Sequence, residues 1–322
     1  MNRKIMNRKM AMLVALAVLV VAVAGFTVWR ARQPQPPIAT EYPLTLVDIV
    51  ERQVVINGEP QRIISLSPSN TEILFALGLG SRVIGVDDFS NYPEAAASLP
   101  KVGGFAGPNL EQIAALQPDL IVADSLQWTT YGEQLTSLGV PVIVLFAGNV
   151  QHVYTGIRLV AVAANVPAAG EALVAQIQSE LDAVAAALKD VSEPLRVYYE
   201  IWNDPLMTVG SGKPNQGSLI AQLITLAGGQ NIFSDLQDNY PVVSSEQVIA
   251  RNPQVIVFPV GPWSSAPTPE DLARRPGWSE IAAVKSGRII SIEDDLISRP
   301  GPRIGQAVRT LAELLYPDKF GK

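Results

Sequence analysis

EQIAALQPDLIV, at residues 111–122, returns in altered form as EQVIARNPQVIV at residues 246–257, 135 positions later. Six of the twelve positions are identical: the Glu, the Gln, one Ala, the Pro and the closing Ile-Val. In each copy a polar residue, Asn109 or Ser244, stands three places before a glutamine, Gln112 or Gln247. That spacing is the signature of a helix N-cap with Gln at the third helical position. Pro118 and Pro253 then stop the helix, and Leu-Ile-Val or Val-Ile-Val enters a strand. Glu111 and Glu246 are therefore expected in the first helical turn, at matching places in two halves of one fold. A single glutamate there would need no more than the helix dipole, which it complements by about 0.3–1 kcal/mol. Two at matched positions point to a shared external role, with bare duplication as the rival.

Around these anchors, short apolar runs alternate with helical stretches. Residues 44–58 read as a hairpin with apolar alternation and a closing Asn-Gly. RIISLSP (62–68) is a buried strand, and Ser69 or Asn70 is placed to cap the helix TEILFALGLG. RVIGV (82–86), DLIVA (119–123) and PVIVLF (141–146) are further strands. From Ala168 to Lys189 the composition changes to good helix formers without proline, which predicts one long helix of roughly 30 Å. The alternation then resumes with RVYYEIW (196–202), a helix over 218–229, QVIVFPV (254–260), RIISI (288–292) and a last helix over 303–316. This order predicts an α/β fold of two Rossmann-like lobes with parallel sheets, residues 44–167 and 194–322, joined by one helix over 168–193.

The first 32 residues form a separate object. Arg3, Lys4, Arg8 and Lys9 precede nineteen residues without a charge, Ala11 to Trp29, followed by Arg30 and Arg32. Such a run is long enough to cross a hydrocarbon core of ~30 Å, with its basic end inside the cell. Ala22-Val23-Ala24 offers a cleavage signature for a signal peptide instead. Because Phe26, Val28 and Trp29 continue the apolar run beyond it, an uncleaved transmembrane anchor is the expectation. Residues 33–43 are then a Pro-rich spacer. The first 32 residues hold six of the 24 basic residues and none of the 30 acidic ones, so the rest of the chain stands near −12. A body of that charge lacks the basic footprint of a nucleic-acid binder. The chain has no cysteine, hence no disulfide, thiolate metal site or thiol nucleophile.

Catalytic readings find little support in the residues. His152 is the only histidine, so a His-cluster metal site is excluded and a Ser-His-Asp triad would need that residue. No G-x-S-x-G elbow is present, and GSGKP (210–214) fails as a phosphate loop. Its Pro214 stands where such a loop places a Ser or Thr, and Met207 where it places the first Gly. The pairs Asp87-Asp88 and Asp294-Asp295 read as solvated carboxylates at strand ends. Aromatics are more informative: Phe89, Tyr92, Phe105, Trp128, Tyr131, Trp202, Tyr240 and Trp263 mostly follow predicted strands. In open parallel sheets that carboxyl edge is where ligands bind, so a cleft with flat apolar walls is expected between the lobes.

RIISLSPSNTEILFALGLGSRVIGVDDFSNYP, KVGGFAGPNLEQIAALQPDLIV, GSLIAQLITLAGGQNIF and VVSSEQVIARNPQVIVF together resemble the iron–siderophore/cobalamin class of ABC-transporter substrate-binding proteins. The likeness runs from about residue 44 to 316, and the cobalamin-binding members look nearest. It implies the class III periplasmic-binding-protein fold and a ligand held between two lobes, with no intrinsic cofactor, no metal and no catalysis. It implies docking of Glu111 and Glu246 onto a permease dimer that works with a cytoplasmic ATPase. It also implies ligand contacts at Phe89, Phe105, Trp202 and Tyr240, with Arg299 near a further cleft position. The implied ligand is cobalamin or a related corrinoid, with ferric siderophores and haem as runners-up. Two readings from other classes stay open: an anchored hydrolase using His152, and a sensor or adhesion ectodomain.

Overall fold

The computed structural model describes residues 40–104, 106–213, 217–261 and 266–321. The expected membrane-crossing segment, Phe105 and Trp263 lie outside the described residues. Among the described residues no helix is long and apolar enough to cross a membrane.

Among the described residues the first element is a small antiparallel hairpin of β1 (Leu44–Val47) and β2 (Gln53–Ile56). Its turn is organised by Asp48, whose Oδ1 accepts from the Val50 and Arg52 amides. Asn57-Gly58 only leads out of it. Next come β3 (Ile63–Ser65), helix α1 (Pro68–Ala76) and β4 (Val83–Val86). The α1 cap is Ser67, not Ser69 or Asn70: Pro68 suits the first helical position, and the Ser67 hydroxyl accepts from the Asn70 amide. A two-rung hairpin, β5 (Gly103–Gly104) with β6 (Gly107–Pro108), leads into α2 (Leu110–Ala115) and β7 (Leu120–Asp124). Helix α3 (Ser125–Ser137), β8 (Val142–Leu145) and α4 (Val150–Ala163) complete the first half.

Helix α5 (Pro167–Ala187) follows, where the long helix was expected. The second half runs β9 (Leu195–Asn203), β10 (Leu206–Thr208), α6 (Leu219–Leu226), β11 (Gly229–Asn231), α7 (Ser245–Arg251) and β12 (Val255–Val260). After β13 (Ile289–Glu293) come the short α8 (Asp294–Ser298) and α9 (Ile304–Leu315).

The first sheet has the order β4-β3-β7-β8 and is parallel throughout. In the second, β11, β9, β12 and β13 are parallel, and β10 adds an antiparallel rung on the carboxyl-terminal part of β9. Both sheets are buried on two faces, which explains why their strands read as unbroken apolar runs. Ile63, Leu120, Val122 and Ile143 face one cluster, while Ile64, Ile121, Val142 and Val144 face another. In the second sheet Val197, Val255 and Val257 join that first cluster, whereas Tyr198, Ile256 and Phe258 pack on a separate one with Phe233 and Trp278. The shared cluster passes through Ile177, Leu181 and Val184 of α5, so the long helix belongs to the core of both halves.

Candidate ligand cleft and docking residues

Each parallel strand delivers its loop to the same edge of its sheet, and the two carboxyl edges meet across a set of side chains. In the first half, β4 runs into Asp87–Tyr92. A buried network holds that loop: Thr71 Oγ1 donates to Ser65 Oγ at 2.8 Å and pairs with Ser90 Oγ at 2.7 Å. The Ser90 hydroxyl in turn donates to Asp87. The other Asp87 oxygen accepts from the Phe89 amide at 2.9 Å, and Lys101 Nζ reaches the Ser90 carbonyl at 2.8 Å. Burial pushes the Asp87 carboxyl above the usual carboxylate range, against the pull of those hydrogen bonds. Asp87 is thus a buried scaffold residue, not the solvated carboxylate its sequence suggests. The product of this wiring is an exposed Phe89, 38% accessible, and an exposed Tyr92.

In the second half, Trp202 near the end of β9 is 59% exposed, and its indole N–H donates to the Asp204 carbonyl at 2.9 Å. Met207 of β10 lies opposite Trp202 and bridges to Val242, two residues beyond the 56% exposed Tyr240. Burial drives the hydroxyl of Tyr199 in β9 far above its ordinary pKa, with the charge of Asp294 adding to it. Large aromatic surfaces exposed at a carboxyl edge are the walls a flat apolar ligand requires.

The halves are joined at this edge by ions. Glu72 of α1, 1% exposed, accepts from Arg303 Nε and Nη2 at 2.7 Å each and from Arg299 Nη1 at 3.0 Å. Arg299 also donates to Asn91 Oδ1 at 2.8 Å, to the Phe89 carbonyl at 3.3 Å and to Asp295 Oδ2 at 2.7 Å. Asn91 returns a bond to Asp295 at 3.0 Å. Arg303 stacks on Tyr92, 4.3 Å from the ring centre. Burial alone would lower the Arg303 guanidinium, yet its hydrogen bonds and charge contact with Glu72 carry it above its ordinary value. So the structure brings Phe89, Tyr92 and Arg299 together, but within a polar joint between the halves. Asp295 likewise has a basic partner, contrary to the solvated reading.

Trp128 is not brought to this place. Arg52 lies 3.4 Å over its ring and also binds Asp48 and the Val142 carbonyl, which holds the indole beside edge strand β8. Tyr131 donates to the Ala106 carbonyl and packs against Gly107, bracing the small hairpin. Glu72 and Arg303 were missed in the sequence. The available signal was a carboxylate inside the apolar helix TEILFA, which cannot be buried without a cation.

Glu111 and Glu246 sit at the second helical position of α2 and α7, both exposed. Asn109 caps α2 through the Gln112 amide at 3.1 Å, while Ser244 and Gln247 form a full capping box. Each helix leads into a parallel strand, so each begins at the carboxyl edge of its sheet. Hydrogen bonds from its own amide and from Ser244 hold the Glu246 carboxyl below the usual range. Among the described residues no group of three or more His, Asp or Glu side chains is placed to hold a metal ion. His152 lies in the first turn of α4; its ring meets the Gly148 amide, the Asn149 carboxamide and the Phe146 ring. None of these is a nucleophile or an orienting carboxylate.

Over residues 63–296 the chain matches the periplasmic binding protein family. It belongs to that family. This periplasmic binding protein is 32% identical over 286 residues to an uncharacterized ABC transporter substrate-binding lipoprotein, YvrC, of Bacillus subtilis, across 87% of each chain. It is 32% identical over 264 residues to the vitamin B12-binding protein of Vibrio campbellii, covering 80% of this chain and 90% of that one. The periplasmic heme-binding protein RhuT of Roseiflexus superposes on it with a TM-score of 0.71 at 30% identity, over 80% of this chain and 99% of that one.

Proposed function

We propose that this chain is the extracytoplasmic substrate-binding component of an ABC importer, that it captures cobalamin or a related corrinoid between its two halves, and that it is not an enzyme. The observation that carries this reading is the pairing of an aromatic-lined joint with two exposed, matched glutamates on the same edge. Phe89 from one half and Trp202 and Tyr240 from the other supply flat apolar surface to a macrocycle. Phe105, in the GGFAG motif, is a further proposed ligand contact by the family resemblance. Glu111 and Glu246 then meet basic residues on the two subunits of a permease, whose cytoplasmic ATPase drives transfer. The family likeness supports an extracytoplasmic location, with residues 1–32 serving as membrane anchor and α5 linking lobes at 44–167 and 194–322.

The likeness to RhuT favours haem as the second reading for the same cleft. Calorimetric titration of the full chain with cobalamin, haem and a ferric siderophore tests the assignment. Saturable binding of cobalamin, tighter than the other two, is the expected result; tighter binding of haem or siderophore would replace it.

A further inference from the structure

The arginines nearest the exposed aromatics are both engaged by carboxylates of the protein itself. Arg299, whose side chain is 10% exposed, touches Glu72, Asp295, Asn91 and the Phe89 carbonyl. Arg303 directs two nitrogens onto Glu72 and lays its plane on Tyr92. A guanidinium offers five N–H donors in a fixed fork, and a buried carboxylate is the strongest acceptor they can meet. Around them the carboxyl ends of the strands add further acids: Asp88 after β4, Asp204 after β9, Asp294 and Asp295 after β13. These acids stand at the edge that presents the aromatics, where Arg299 and Arg303 are turned onto protein carboxylates and Lys101 Nζ is held on the Asp87 and Ser90 carbonyls.

From this we infer that Glu72, with Asp295, determines specificity: together they hold Arg299 and Arg303 away from bound ligand, so the cleft selects flat ligands that lack carboxylates. The inference rests on the cleft reading above and deepens it, because it states which chemical group the site refuses. A ligand carboxylate would have to displace Glu72 or Asp295 from a guanidinium already engaged, through Nη1 and Nη2 in Arg299 and through Nε and Nη2 in Arg303, and would enter against the field of Asp88, Asp294 and Asp295. A neutral or cationic macrocycle meets neither obstacle.

Haem and haem dimethyl ester isolate the point, since they share one macrocycle and differ only in two carboxylates. Absorbance titrations of the full-length wild-type protein, Glu72→Gln and Asp295→Asn with both probes give a ratio of affinities for each protein. A general loss of cleft integrity cancels in that ratio. The wild type is expected to bind haem no more tightly than the ester. Each variant is expected to shift the ratio toward haem by about tenfold, the change expected from one released charge-assisted hydrogen bond. Asp295→Asn, at a partly exposed position, keeps the test open should Glu72→Gln fold poorly. A wild type that prefers haem over its ester by tenfold, or variants whose ratio does not move, would overturn the inference. If the wild type binds cobalamin while the ratio stays fixed, only this inference falls. If it takes neither cobalamin nor either haem probe, the cleft reading falls and the inference with it.

Discussion

The two halves of the molecule write one phrase and wire it differently. Helices α2 and α7 both begin with a side-chain cap, place a glutamate second and end on a left-handed residue before proline, Gln117 with φ 47° and Asn252 with φ 42°. Around α7 that backbone is reinforced: Ser244 and Gln247 close a full box, Arg251 clasps Asp235 and the Ile232 carbonyl, and the Asn252 side chain accepts from the Ala282 amide at 2.8 Å. Around α2 the helix end is held by one arginine, Arg62, reaching the Leu116 and Gln117 carbonyls. What the halves preserve is the position of one exposed acid and an arginine on the left-handed residue before proline, Arg62 on the Gln117 carbonyl and Arg196 on the Asn252 carbonyl; the cap and the remaining contacts have diverged. Preservation of the acid under divergent support is what a two-subunit partner would require.

The strongest way to break the comparison is to reverse both acids. Glu111→Lys with Glu246→Lys is expected to abolish ligand uptake in cells while leaving affinity in solution as in the wild type. Each single substitution should leave part of the uptake. Uptake at the wild-type rate in the double variant would remove the docking role. Next in size is the ion joint between the halves, in which one buried carboxylate holds two arginines. Glu72→Gln leaves two buried guanidiniums short of a charge and is expected to destabilise the chain by about 3–5 kcal/mol in urea denaturation. A loss under 1 kcal/mol would mean that Asp295 and Asn91 suffice to hold Arg299.

Smaller effects sharpen the comparison of the helices themselves. Ser244→Ala and Asn109→Ala should each cost about 1 kcal/mol, Ser244→Ala more because it opens a reciprocal box. Asn252→Gln should destabilise, since asparagine tolerates the left-handed region better than longer side chains and here also receives the Ala282 amide. Gln117→Asn should stabilise by a few tenths of a kcal/mol on the same ground, with denaturation midpoints as the measure. If both caps weigh alike and both left-handed sites respond alike, the difference in wiring has no energetic content.

These helices were legible in the sequence because capping and proline chemistry act over four or five neighbouring residues. The central strands were legible because burial on both faces leaves no polar alternation to confuse them, whereas the two- and three-residue strands β5, β6, β10 and β11 were not named. Helix α4 was not named there, although VQHVYTGIRLVAVA forms fourteen helical residues. Its β-branched and aromatic content speaks weakly for helix, and only packing against α5 and the first sheet decides it. The joint was illegible for a different reason: Glu72 lies 227 and 231 residues from its arginines, and no local pattern encodes a contact across that separation. Trp128 shows the converse. It follows a strand, as a cleft aromatic should, yet Arg52 draws it to the outer edge of the sheet.

Two carboxylates, one in each half, set opposite signs on the pH dependence of stability. In the first, Asp87 faces the Ser90 hydroxyl, the Phe89 amide, Lys101 and Arg299, yet burial outweighs them and its folded pKa lies above the ordinary value. The folded chain then keeps a proton that the unfolded chain has already lost. Asp87 contributes stability at low pH that disappears as pH rises from the ordinary carboxylate value, about 3.9, through the folded one. In the second half, hydrogen bonds and charge from Arg251 hold Asp235 below its ordinary value, so its contribution is present above that value and is lost as pH falls through the folded one. Urea denaturation of Asp87→Asn and Asp235→Asn beside the wild type, from pH 3 to pH 7, should separate the two. With rising pH the Asp87→Asn difference is expected to move in the variant's favour, and the Asp235→Asn difference in the wild type's favour. The second should be the smaller, because Asp235 is exposed and its pair with Arg251 is screened by solvent. Parallel slopes for the two variants would mean that the Asp87 hydrogen bonds prevail over its burial, and that the loop carrying Phe89 is held by an ordinary ionised carboxylate.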